Sequence, residues 1–195
     1  MTTNNDAVAG TRAEADSYDA TGRALHWTVA LLLACQFVTA ALLPSIRVDT
    51  PLDTTINLHF NLGLTILVLM AIRLVHRRRH PVRVAPGNAQ GWERAVASAT
   101  HRLFYVILLI GPFLGWAAAS AHAVPVRLLG LIELPALAPR KAAWAFLAGD
   151  VHSLAMWTLL GLVGAHAAGA LYHHFVRHDD VLRRMLTGRA SRDGG

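Results

Sequence analysis

Four histidines of this chain lie inside long apolar stretches or at their ends: His26, His59, His152 and His166. Ionisable side chains are costly in such surroundings and commonly mark a functional site. A neutral imidazole is a ligand for transition metals, so the chemistry suggested by these residues is metal or cofactor binding. His152 and His166 are 14 residues apart, which on a helix corresponds to a rise of about 21 Å with about 40° of angular drift. They would therefore share one helix face at two depths.

Several other chemistries do not fit this pattern. Two histidines that hold one ion on a helix are three or four residues apart, and no third and fourth ligands for zinc or non-haem iron accompany these four. No Asp or Glu lies within the apolar stretches, which excludes carboxylate-based acid–base catalysis there. The single cysteine, Cys35, excludes an intrachain disulfide and a CxxCH site for covalent haem attachment. Redox chemistry would therefore need a non-covalently bound cofactor.

The apolar stretches are long enough to cross a membrane. A transmembrane helix needs about 20 mostly apolar residues, and four stretches reach that length: residues 24–43, 55–75, 102–121 and 151–174. With 54% hydrophobic and 15% charged residues, the chain is more apolar than an ordinary soluble domain. The sequence predicts an all-α integral membrane four-helix bundle.

Basic residues predict the orientation of the four spans. The N-terminal segment, the loop after the second span and the C-terminal segment contain 14 of the 18 Lys and Arg residues, whereas the opposite side has only Arg47, Arg127, Arg140 and Lys141. The positive-inside rule therefore predicts that both termini are cytoplasmic. The polar N-terminal segment, with its acidic residues, does not fit a cleavable signal peptide. Nucleic-acid binding is excluded because the arginines flank apolar spans and form no groove interleaved with aromatic residues.

In this orientation the four histidines pair by depth. His26 and His166 fall in the inner half of the bundle, and His59 and His152 fall in the outer half. Two imidazoles on the axial faces of iron are a known way of holding haem between facing helices. Gly63, one turn after His59, would let a flat cofactor lie against the backbone. The alternative for each histidine is a hydrogen-bonded side chain in helix packing.

Five segments, taken in their order along the chain, resemble sequences of the bacterial cytochrome b561 family. They are ALHW around His26, INLHFNLGLTILVLMAIRLVHR around His59, HRLFYVILLIGPFLGW in the third span, DVHSLAMWTLLGLVGAHAAGALYHHF in the fourth and DDVLRRM after it. The resemblance covers roughly residues 18–187. It implies a dihaem protein of the bacterial inner membrane, in which haems lie between the helices and His26, His59, His152 and His166 are the axial ligands of two haem b groups.

The resemblance also bears on function. Similar members are described as superoxide oxidases that pass the electron to ubiquinone, and others as quinone-linked carriers that serve periplasmic partners. We therefore expect electron transfer between membrane ubiquinone and an outer-side donor, either superoxide or a periplasmic redox protein. The alternative is an anchor subunit that relays electrons from a dehydrogenase or hydrogenase to quinone. A third alternative, a haem-free bundle, predicts no haem absorption.

Polar residues at the span ends are candidates for further contacts. Four at the inner ends of the first three spans are candidates for the haem propionates: Arg23, Arg73, His101 and Arg102. The alternative for the arginines is snorkelling to lipid phosphates. His173 and His174, about two turns after His166, are candidates for a quinone head group, and the four outer basic residues would attract superoxide. The chain thus divides into a polar tail (1–22), a four-span dihaem domain (23–178) and a basic tail (179–195).

Overall fold

The computed structural model of the chain describes residues 19–80 and 91–187. Within these ranges it contains four long helices: α1 (Ala20–Ala41), α2 (Thr54–Arg79), α3 (Gly91–Ala121) and α4 (Ala143–Phe175). All four are long and apolar enough to cross a membrane, which confirms the prediction of an all-α membrane four-helix bundle. A short helix, α5 (Val181–Thr187), follows α4. Four of the basic residues used to predict the orientation lie outside the described residues: Arg12, Arg83, Arg189 and Arg192.

Two helices begin well before the predicted spans. Helix α3 begins at Gly91, where the prediction had residue 102, and α4 begins at Ala143, where it had residue 151. Hydropathy detects only the part of a helix that lies in hydrocarbon, whereas backbone hydrogen bonding continues through the headgroup region. The longer helices consequently contain the carboxylates of Glu93 and Asp150, which the predicted spans excluded.

An aspartate side chain caps the N-terminus of each of the first two helices. Asp19 caps α1, where its Oδ1 accepts a hydrogen bond from the Gly22 amide at 3.0 Å. Asp53 caps α2 in the same way, with its Oδ1 2.7 Å from the Ile56 amide nitrogen. Each carboxylate satisfies an amide that has no partner within the helix and opposes the positive end of the helix dipole. The caps thus fix where the helices bearing His26 and His59 begin.

A small hairpin is attached to α2 at the end of the bundle that the predicted orientation makes the outer one. Strand β1 (Arg127–Leu128) pairs antiparallel with β2 (Ile132–Glu133). The Asn61 amide donates to the Arg127 carbonyl at 2.9 Å, and its Oδ1 accepts from the Leu129 amide at 2.7 Å. Because Asn61 is two residues after His59, these bonds hold the outer loop over the outer half of the bundle.

A hydrophobic core lies between the two levels of histidines. All four long helices contribute to it: Val29, Leu33, Ile66, Met70, Leu108 and Leu159 are buried together. Leu159 lies midway between His152 and His166 along α4. Close backbone packing joins α1 to α2, α2 to α3 and α3 to α4. Large apolar side chains on the outer faces of the helices are exposed, as lipid contact requires.

Candidate haem-binding sites

The outer histidines, His59 on α2 and His152 on α4, line one cavity between the helices. Gln36 of α1 and Gly115 and Trp116 of α3 also line it, so all four long helices contribute. Most of the other lining residues are apolar. The cavity therefore offers two imidazoles in apolar surroundings, the environment in which a porphyrin is held between helices.

The ring of His152 is fixed by the backbone of α3. Its Nδ1 is 2.9 Å from the carbonyl oxygen of Gly111. A carbonyl oxygen only accepts, so Nδ1 carries the proton and Nε2 keeps a free lone pair for a metal. A Cβ at Gly115 would lie 3.2 Å from Cε1 of His152. Glycine at that position leaves room for the ring to pack against α3.

The ring of His59 has the same tautomer. The amide nitrogen of Gln36, which only donates, is 3.2 Å from His59 Nε2, so Nε2 is unprotonated. On the other side of the ring, His59 Nδ1 makes a long contact of 3.5 Å with the Thr39 hydroxyl, which donates to the Gln36 carbonyl at 2.9 Å. Thr39 is buried. Nε2 is thus unprotonated in both outer histidines. In His152 no hydrogen bond occupies it among the described residues, whereas in His59 it accepts from Gln36, whose side chain would have to move away for a metal to bind there.

The inner histidines, His26 on α1 and His166 on α4, face each other directly. Their ring centroids are 6.3 Å apart with an interplanar angle of 67°. Since an imidazole nitrogen binds a transition metal at about 2 Å, this separation is compatible with one metal atom between the two rings. Helices α1 and α4 are not among the closely packed pairs, so the inner histidines bridge a gap in the bundle.

His101 and Arg73 join the inner pair. The His101 ring centroid is 5.4 Å from that of His166, closer than the His26 ring. His101 also makes a hydrogen bond to the backbone of Ala97. Arg73 interacts electrostatically with His26, His101 and His166. A cation among neutral imidazoles suits a carboxylate such as a haem propionate.

The donor set fits haem better than a bare ion. Among residues 19–80 and 91–187, no group of three or more His, Cys, Asp or Glu side chains could hold a metal ion. The outer level has two histidines and the inner level three, each on its own helix, and two would suffice at each level if a porphyrin supplied the remaining ligands. At the outer level, Oε1 of Gln36 is buried and has no hydrogen-bond partner among the described residues.

Membrane-length helices with histidine pairs at two depths are the features of a membrane protein of the cytochrome b type. The family model described as prokaryotic cytochrome b561 matches residues 17–188, and the chain belongs to that family. It is therefore a bacterial membrane protein of electron transport, in a family that binds haem b.

Several curated proteins are similar over most of their length. Cytochrome b561 homolog 2 of Escherichia coli K12 is 28% identical over 184 residues, which is 92% of this chain and 96% of that protein. Cytochrome b561 homolog 1 of the same strain is 31% identical over 174 residues, 85% of this chain and 94% of its own. A probable superoxide oxidase CybB of Yersinia pestis is 28% identical over 129 residues, 66% of this chain and 73% of its own.

The other residues that were predicted to contact a haem propionate or a quinone lie at several different places. Arg23 lies in the first turn of α1, and Arg102 lines a cavity between α2 and α3 that His101 also lines. Nδ1 of His173 makes a hydrogen bond to the Asp179 carboxylate after the end of α4, and the His174 ring packs edge-on against Phe175. Of the predicted propionate contacts, Arg73 and His101 lie beside the inner pair.

The outer basic residues are partly neutralised. Arg140 forms an ion pair with Asp49, and Arg127 forms one with Glu133 at 3.3 Å. All four of these side chains are exposed, so the pairs are screened by water. Two of the four charges predicted to attract superoxide thus have a carboxylate partner, which weakens the idea of a broadly basic outer surface.

Sequence reasoning missed the residues that orient the outer histidines: Gln36, Thr39, Gly111 and Gly115. Gln36 and Thr39 are polar residues in the apolar first span, and such residues commonly have a function. The sequence therefore contained a signal for Gln36 and Thr39. The glycines carried no such signal, because their role depends on how α3 is rotated toward His152.

Proposed function

We propose that each histidine pair holds one haem b, His26 with His166 in the inner half of the membrane and His59 with His152 in the outer half. The observation that carries the proposal is the arrangement of the histidines at two levels of a membrane-length bundle. The inner two have neighbouring rings, the outer two line one cavity, and a buried apolar core lies between the levels. A haem at each level would make this a dihaem cytochrome with both termini in the cytoplasm, in the bacterial inner membrane.

Bound haem b supplies one-electron redox chemistry. The residues of this chain contribute ligation, orientation and surroundings. Gly111 holds His152 in the tautomer with the proton on Nδ1, and the Thr39 hydroxyl lies beside Nδ1 of His59. Gln36 donates to Nε2 of His59 and would give way to a bound haem. Arg73 provides a positive charge for an inner propionate. The apolar core between the levels excludes water from the middle of the bundle.

The overall reaction that we propose is the oxidation of superoxide on the outer side, coupled to the reduction of ubiquinone in the membrane. Each superoxide anion loses one electron and becomes dioxygen. Ubiquinone takes up two electrons and two protons to become ubiquinol, so two superoxide anions are consumed per ubiquinol. The similarity to a probable superoxide oxidase supports this donor.

Haem quantification tests the ligand assignment. The purified full chain should contain two haem b groups by pyridine haemochrome. The His26→Ala and His166→Ala variants should each lose one haem, and the His59→Ala and His152→Ala variants should each lose the other, distinguishable by the remaining low-spin signal in electron paramagnetic resonance. A wild-type protein without haem, or a His101→Ala variant that loses a whole haem while His26→Ala retains both, would contradict the proposal.

A stoichiometric assay tests the donor. With superoxide and a ubiquinone analogue, the wild-type protein should form one quinol per two superoxide anions that it consumes, and hydrogen peroxide should fall below the level that spontaneous dismutation gives without protein. Peroxide above that level would indicate dismutation by the protein. No superoxide-dependent quinone reduction, together with a redox partner subunit that copurifies and reduces the haems, would favour the anchor-subunit alternative.

A further inference from the structure

A second cavity, of about 300 Å³, lies at the inner ends of α2 and α3. Helix α2 contributes Leu74, Arg77 and Arg78, and α3 contributes Ser98, His101, Arg102 and Tyr105. These positions recur at intervals of three or four residues, so each helix presents one face to the cavity. We define these seven residues as the basic cavity.

The basic cavity has three guanidinium groups and no acidic lining residue. Arg77, Arg78 and Arg102 form no ion pair with any residue in the described ranges. Arginine presents several N–H donors in a planar fork that matches the oxygens of a phosphate. Such a concentration of positive charge in a cavity favours an anionic ligand.

Neutral donors complete the basic cavity. The hydroxyl oxygen of Tyr105 is buried and has no hydrogen-bond partner within residues 19–80 and 91–187. Leaving a buried hydroxyl without a hydrogen bond is unfavourable, and a phosphate oxygen would accept a hydrogen bond from it. Ser98 adds a second hydroxyl to the lining. The ligand suggested by these groups is a phosphate that accepts from arginines and hydroxyls together.

The surroundings of the basic cavity indicate that the phosphate belongs to a lipid. Apolar side chains next to it are exposed on both helices: Ile72, Val75, Leu103 and Val106. They would contact acyl chains, while the arginines stand at headgroup level. Basic pockets between transmembrane helices on the cytoplasmic side bind the head groups of anionic lipids. We propose that the basic cavity binds an anionic phospholipid of the inner leaflet.

Two double variants of equal charge test the lipid site. Arg77→Ala with Arg78→Ala removes two guanidiniums from the basic cavity, whereas Arg79→Ala with Arg94→Ala removes two exposed inner arginines outside it. Native mass spectrometry of the detergent-purified full chain should show an anionic phospholipid adduct on the wild type. We expect the first variant to lose it by about tenfold or more, since hydrogen bonds to charged groups are the strong ones, and the control to keep it.

Three further measurements distinguish a lipid phosphate from free inorganic phosphate. Tyr105→Phe, which changes no charge, should weaken the adduct severalfold. Added inorganic phosphate should neither form an adduct nor displace the lipid, and nanodiscs of purely zwitterionic lipid should give no adduct. Equal loss in both double variants, an inorganic phosphate adduct alone, or loss of haem together with the lipid in Arg77→Ala, Arg78→Ala would each overturn the proposal.

Discussion

The rings of the outer histidines are held by groups that are not themselves ligands. Gly111 accepts from His152 through a carbonyl, and Gln36 and Thr39 contact the two nitrogens of His59. Partners of this kind set the tautomer and the basicity of a metal-binding imidazole, and their loss affects the metal without removing a ligand. Substitutions at these positions should therefore alter one haem and leave the other unchanged.

Gly115→Ala should disturb the outer site alone. The new Cβ would lie 3.2 Å from Cε1 and 3.3 Å from Nδ1 of His152, so the ring must move and its bond to Gly111 must weaken. Overpacking of this kind typically costs about 1–3 kcal/mol. We expect haem content to fall from two toward one per chain. Gly164→Ala is the control because a Cβ there meets nothing within 4 Å; equal haem loss in both variants would contradict the prediction.

Thr39→Val should raise the midpoint potential of one haem. Valine has the shape of threonine but accepts no hydrogen bond, so His59 Nδ1–H loses its acceptor and the imidazole becomes a poorer donor to ferric iron. The contact is long. The free energy of reduction should therefore change by no more than the contribution of one ordinary hydrogen bond, about 0.5–1.5 kcal/mol. Redox titration of the variant measures both haem potentials. Thr65→Val is the control, because Thr65 is exposed and its hydroxyl donates to the carbonyl of Asn61 in its own helix. A shift of both haem potentials, or of neither, would count against it.

At the scale of elements, α5 is attached to the first span. The Trp27 indole donates to the carbonyl oxygen of Met185 at 3.0 Å, across a separation of 158 residues. The Trp27 ring is also 5.2 Å from that of His26. The C-terminal helix, which also packs against α4, is therefore fastened beside an inner histidine by this long-range hydrogen bond.

Trp27→Phe should loosen α5 without removing an aromatic ring. Losing one hydrogen bond costs about 0.5–1.5 kcal/mol, which corresponds to roughly two- to tenfold faster amide exchange in the attached segment. Hydrogen exchange of the purified protein over Val181–Thr187 measures this effect. The control is Trp157→Phe, because Trp157 is 73% exposed on α4. Unchanged exchange in Trp27→Phe would show that other contacts hold the helix.

The sequence predicted the elements better than their mutual rotation. Hydropathy located all four spans, and the spacing of His152 and His166 predicted two levels. The proximity of His101 to His166 was not predictable, because a helix that is apolar on all sides has no polar face to fix its rotation. The start of α3 at Gly91 was missed because polar residues continue the helix beyond the hydrocarbon. The hairpin held by Asn61 depends on long-range bonds for which the sequence has no local signal.

At the scale of the whole molecule, charge is distributed unequally between the two ends of the bundle. The described inner ends contain the run Arg77–Arg79 and the arginines of α5, whereas the outer basic residues are few and two of them are paired with carboxylates. Basic residues are retained on the cytoplasmic side during insertion. The same asymmetry makes the end of the bundle with the run Arg77–Arg79 the more attractive one for anionic lipid.

The orientation predicted from this asymmetry is testable with a thiol reagent that does not cross membranes. In a Cys35→Ser background, which has no other cysteine, Leu131→Cys places a thiol on the outer hairpin at a position that is 85% exposed. Arg94→Cys places one at the exposed inner end of α3. Because the positive-inside rule predicts a cytoplasmic inner end, intact spheroplasts should label Leu131→Cys, and Arg94→Cys should react only after permeabilisation. The reverse pattern would put His26 and His166 on the periplasmic side, and superoxide would then meet the inner pair first.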